Sequence, residues 1–127
     1  MPKQVFFPYP ERKPKGFSPV TRAGSLVFVA GQVALDGTGA LVGEGDCGSQ
    51  SEQCFKNIEA AITAAGAKMT DIMKITAFLV NASDYAAYAS AREQVFPEDP
   101  PASSSVIVAE LIRPEYLVEV EAVAIVE

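Results

Sequence analysis

The stretch Leu117 to Val126, LVEVEAVAIV, alternates strictly, and it constrains the fold more than any other part of the chain. In an extended strand successive side chains point to opposite faces. Val118, Val120, Ala122, Ala124 and Val126 therefore share one face, and Leu117, Glu119, Glu121, Val123 and Ile125 share the other. The first set is wholly apolar and is expected to lie under helices. The second mixes two carboxylates with three large apolar residues. Such a face is too apolar for water and too charged for an ordinary core, so it is expected to meet a partner subunit, a ligand, or both. Just upstream, Ser103 to Leu111 reads as another strand, with Arg113 and Pro114 in a short turn between the two.

The remaining elements follow from spacing and punctuation. Gln4 to Phe7 is a short apolar run stopped by Pro8 and Pro10, an edge-strand candidate. Phe17 to Ala23 and Ser25 to Ala30 read as a hairpin turning at Gly24. Asp36 to Gly48 is glycine-rich without a phosphate-binding spacing, and reads as a flexible surface loop. Ser49 and Glu52 have the spacing of a capping box, and Phe55, Ile58, Ala61, Ile62 and Ala65 form a helical stripe ended by Gly66. Ile72 to Val80 reads as a strand covered on both faces. A second helix, capped by Ser83, runs from Asp84 to about Phe96, and Tyr85 and Tyr88 are expected to pack it on the sheet with their hydroxyls at the rim. This order gives one α+β domain over residues 1–127, a mixed sheet with two helices on one face. Burying the apolar residues of the bare face at roughly 100 Å² each is worth about 2–3 kcal/mol apiece, which a closed oligomer would supply.

Composition narrows the chemistry. The net charge of −6 repels phosphate backbones, so no nucleic-acid partner is expected. No apolar run is long enough to span a membrane and the N-terminal segment has no signal-peptide core, so the expectation is a soluble, cytoplasmic protein with no membrane partner. Cys47 and Cys54 have neither a disulfide framework nor a zinc spacing and read as free thiols. The chain has no histidine. Ser-His and Cys-His catalysis and histidine-based metal sites are thereby excluded within it. Acid–base chemistry has to use carboxylates, Lys, Tyr, Cys, backbone groups or water.

Several segments in order, GFSPVTRAG from Gly16, LVFVAGQVALD with Gly31-Gln32, the run from Gln53 to Glu93, then PPAS and EVEAVAI, resemble the Rid (YjgF-type) family of reactive-intermediate deaminases. The resemblance implies a chorismate-mutase-like α+β fold assembled as a homotrimer, with sites in clefts between subunits. It implies hydrolysis of imines or enamines such as 2-aminoacrylate to a keto acid and ammonia, with no metal and no cofactor. It also marks departures. The arginine that holds the substrate carboxylate in deaminating members is replaced by Ser103, and a cysteine two residues on by Ser105. A cleft tyrosine is replaced by Phe17, followed by Ser18, a serine before the Gly-Gln pair by Ala30, and an asparagine of the second helix by Ala89. The glutamate that positions water corresponds, on this reading, to Glu121, while Glu119, nearer the strand start, is expected to be solvated.

The candidate site is thus Glu121 as the catalytic carboxylate, with Phe17, Ser18, Ala30, Gly31, Ser103, Ser104 and Ser105 binding a small molecule and no metal. A serine in place of a guanidinium exchanges two charge-assisted hydrogen bonds for one neutral donor, about 2–3 kcal/mol or ~30- to 150-fold in binding. With two glutamates on one strand face, a neutral or cationic ligand is expected to fit better than an amino-acid-derived acid, which speaks against 2-aminoacrylate. The resemblance implies three candidate functions: cofactor-free deamination or tautomerisation of an imine, enamine or related unsaturated metabolite; metabolite binding without catalysis in the same trimer; and an RNA-directed role, which the acidic charge and the absence of histidine disfavour.

Overall fold

A computed structural model describes residues 1–127. The sheet has six strands: β1 (Gln4–Phe6), β2 (Val20–Ala23), β3 (Leu26–Gln32), β4 (Ile72–Leu79), β5 (Ala102–Ile107) and β6 (Val118–Ile125). Their spatial order is β1-β2-β3-β6-β4-β5. Every pairing is antiparallel except β4 with β5, which is parallel. A parallel pair needs a long crossover, and α2 (Tyr85–Val95) lies within that one. Helix α1 (Cys47–Ala64) forms the earlier crossover between β3 and β4.

The alternation in β6 has the expected consequence. Val118, Val120, Ala122 and Ala124 are buried in one core with Phe55, Ile58 and Ile62 of α1 and Tyr88 and Ala91 of α2. Both helices are therefore on that face, and the other face carries no helix. The β2–β3 hairpin turns at Gly24, whose φ of +59° is a conformation that glycine adopts without Cβ strain. Both cysteines are buried free thiols, as read from the sequence.

Four expectations are corrected. β5 and β6 are not neighbours: β4 lies between them, because α2 returns the chain to the outer edge of β4 and residues 108–117 must then cross back over it. Helix α1 starts earlier than its capping-box spacing suggests. Asp46 is the N-cap, accepting from the Ser49 backbone N–H and hydroxyl, so Ser49 is inside the helix. Ser83 likewise does not cap α2, which begins directly from a short 3-10 turn, Ala82–Asp84. The glycine-rich segment is a bonded turn. Asp36 accepts from the Thr38 backbone and hydroxyl and from the Ala40 N–H, and Leu35 bridges Leu41.

Candidate functional site

The sheet register decides which of the sequence-chosen residues meet. Between the pairs Val29–Ala122 and Gln32–Val120, β3 carries one residue too many. Ala30 and Gly31 therefore both stand opposite Glu121 in a β-bulge, a feature that bends a strand and re-aims side chains. The same row continues through Thr76 on β4 to Ser104 on β5. Glu121, Ala30, Gly31 and Ser104 thus lie in one lateral line. Ser103 is in the next row, which runs from Val29 through Ala122 and Ile75. It shares the helix-side face of buried Ile75, so within one chain it does not face Glu121.

The glutamates differ from the expectation. Glu119, expected to be solvated, is half-buried, and Glu121 is exposed. The Glu119 carboxylate packs directly on Gly31, so that a Cβ at that position would collide with it. Burial, and then the negative charge of Glu121, push the Glu119 pKa above the ordinary glutamate value. The bulge is the physical reason. It widens β3 locally, and the missing side chain of Gly31 leaves room for the carboxylate of Glu119. Sequence reasoning took position along the strand as a measure of exposure, whereas the contact across the bulge decides it.

Gly31 also lines a depression of about 350 Å³ with Phe7, Tyr9, Phe17, Gln32 and Arg113. Phe17 is 61% exposed there, far from a packing residue, and Ser18 is half-buried beside it. The floor is held by a network from the N-terminal segment. Tyr9 donates to Asn57 at 2.9 Å, and Arg12 donates to the Asp36 carbonyl at 2.7 Å while stacking on the Tyr9 ring. Arg113, in contrast, sits over the Tyr116 ring and is exposed.

Ser103, Ser104 and Ser105 stand at the other edge of the sheet. Three strand spacings separate β5 from β3, about 14 Å. One chain therefore does not close a site around all eight sequence-chosen residues: it presents two half-sites at separate places on the sheet. Strand β5 is an outer strand, and Val106 and Ile107 are 42% and 51% exposed. The Ser103 hydroxyl accepts from the Arg92 guanidinium at 3.4 Å, so this position is not without a cation. Sequence reasoning missed Arg92, because a residue of α2 carries no signal that it reaches a strand separated from it by a loop. Tyr88, expected to have its hydroxyl at the rim, is fully buried.

The family model described as Endoribonuclease L-PSP matches residues 11–126. The 3-aminoacrylate deaminase RutC of Acinetobacter baylyi is 32% identical over 98% of both chains. The chain belongs to the Rid (YjgF) family. The 2-iminobutanoate/2-iminopropanoate deaminase of Dermatophagoides farinae is a further Rid relative, 31% identical over 87% of this chain and 86% of that one. Among solved Rid structures, RidA from an Antarctic Psychrobacter superimposes with a TM-score of 0.86 at 28% identity, covering 97% of this chain and 99% of that one. The YjgF/YER057c/UK114 family member of Mycobacterium tuberculosis does so with a TM-score of 0.86 at 29% identity, covering 98% and 100%. The mixed sheet with two helices is thus the Rid fold. No helix of this Rid protein is long and apolar enough to cross a membrane.

Proposed function

We propose that this protein is an imine or enamine deaminase that works without metal or cofactor in clefts between the subunits of a homotrimer. The observation that carries the reading is Glu119: a half-buried carboxylate of raised pKa, packed on Gly31 beside an open depression, in a chain of the Rid family. A carboxyl group whose pKa is raised by burial can hold water and take up or give back a proton more readily than a solvated one. Water then adds its oxygen to the imine carbon. Its two protons end on nitrogen, the C–N bond breaks, and a carbonyl compound and ammonia leave. The reaction is a hydrolysis and needs no oxidant or reductant.

Glu121 was the sequence choice for this role. In the proposal it acts on Glu119: its charge adds to the rise of the Glu119 pKa, and Glu119 holds the water. The homotrimer is supported by the two separated half-sites, and by a helix-free face where Phe28 is 49% and Ile125 44% exposed. A second copy that brings its β5 edge to the depression would complete the cleft. The net charge of −6 and the absence of histidine weigh against a nuclease, whatever the description of the family model.

The second reading is metabolite binding without catalysis, favoured by Phe17 and Ala30, which put apolar groups where polar ones are expected. The test is ammonia release from an imine generated in situ, compared for the wild type and Glu119→Gln. Catalysis should fall by about 100-fold or more in the variant. A wild type no faster than buffer, with intact ligand binding, selects the second reading.

A further inference from the structure

The helix-side end of β5 holds a group of polar side chains that the mechanism above leaves unused. Arg92, in the last turn of α2, donates to the Ser103 hydroxyl at 3.4 Å and to the Tyr85 hydroxyl at 3.3 Å. Both bonds are long for a guanidinium, and both acceptors are neutral. Its planar group lies 5.4 Å from the Tyr88 ring and 5.7 Å from the Tyr85 ring. The Tyr88 hydroxyl is fully buried and has no hydrogen-bond partner. Its neighbours are Arg92 and Ser103, which pull its pKa down against the larger rise from burial.

Arg92 has donors to spare. A guanidinium has five donors, and Arg92 directs two of them at weak partners and none at a carboxylate. Three hydroxyls and no carboxylate are the groups around this cation. A buried hydroxyl without a partner costs free energy unless something else meets it. One fork of donors plus adjacent hydroxyls is the complement of a small planar anion, whose two oxygens have more lone pairs than the fork alone can fill.

We infer that Arg92 supplies from α2 the cation that Ser103 cannot supply from β5, and that it determines specificity by holding the carboxylate end of the substrate with the Tyr85, Tyr88 and Ser103 hydroxyls. This rests on the deaminase reading of the cleft. It reverses the expectation that a neutral or cationic ligand fits best. The two glutamates do not oppose it within a chain, because Ser103 and Arg92 are on the helix side of the sheet and Glu119 and Glu121 on the other.

The test uses the intact protein and two probes of nearly equal shape, 2-oxobutanoate and its uncharged amide, with dissociation constants measured by ligand-observed NMR. The wild type should prefer the acid. Arg92→Ala should weaken acid binding by about 10- to 100-fold and leave the amide within about twofold. Tyr88→Phe should weaken the acid by a smaller factor in the same direction. Arg92→Lys keeps a charge on the helix but loses the fork, so it should recover only part of the affinity. It also guards against a loss of folding in the alanine variant, checked by thermal denaturation. Equal binding of the acid by wild type and both Arg92 variants overturns the inference, as does a wild type that prefers the amide. Ammonia release from in situ imine is measured in parallel. Arg92-dependent acid binding without ammonia release leaves the anchor standing and removes the deaminase reading instead.

Discussion

At the residue scale, the position of Glu119 makes a prediction in each direction of pH. Its folded pKa is raised, so the protonated form contributes stability that is fully present below the ordinary glutamate pKa, near 4.3, and is lost as pH rises through the folded value. Glu119→Gln has no such loss. It should melt a little above the wild type at pH 7, with the difference closing toward pH 4 in thermal scans. The effect is small because the group is only half-buried and water screens part of it. A variant that is more stable and yet inactive is the pattern expected of a site residue. Glu121→Gln removes the charge that helps raise the Glu119 pKa. It should shift the acid limb of the pH–rate profile downward while retaining most of the activity, which separates the two carboxylates. None of this was legible in LVEVEAVAIV: both glutamates fall on one face, and only the bulge at Ala30-Gly31 distinguishes them.

At the element scale, the long return from β5 to β6 is fastened by one side chain. Gln50 of α1 is completely buried. Its amide donates to the Gly43 and Glu115 carbonyls at 3.1 and 3.0 Å and accepts from the Leu117 backbone N–H at 2.9 Å. It therefore ties the start of α1 to the start of β6. Gln50→Met keeps the volume and removes all three bonds, leaving part-buried backbone groups to find other partners. It should cost about 2–4 kcal/mol, read as a lower urea midpoint at unchanged slope. Helix α2 illustrates a different limit. Tyr85 and Tyr88 both read as packing it on the sheet, but Tyr88 is buried in the core, stacked on Phe55 at 5.9 Å, while Tyr85 is 42% exposed. A helix as short and as alanine-rich as α2 has little apolar asymmetry, so its rotation is decided by the layer beneath it.

At the scale of the whole molecule, the helix-free face makes the prediction. Phe28 and Ile125 lie on it, with the half-buried Val123 between them in the sheet. Light scattering should give three times the chain mass at micromolar concentration. Phe28→Asp with Ile125→Asp should give a single chain mass and abolish ammonia release, because the half-sites at β3 and β5 would no longer meet. A folded, fully active monomer would place the site within one chain and remove the inter-subunit cleft.

The sequence by itself determined the elements, the buried face of β6 and the family. Alternation, helical period and turn residues are local properties, and a core face reads directly from them. It also excluded histidine chemistry outright. The tertiary structure alone decided the strand order, which placed β4 between two strands that read as neighbours. It decided which glutamate is withdrawn from water, and it brought Arg92 to Ser103 across 11 residues of chain. These are contacts between separate elements, set by how α2 crosses from β4 to β5 and by one extra residue in β3, and no local pattern encodes them.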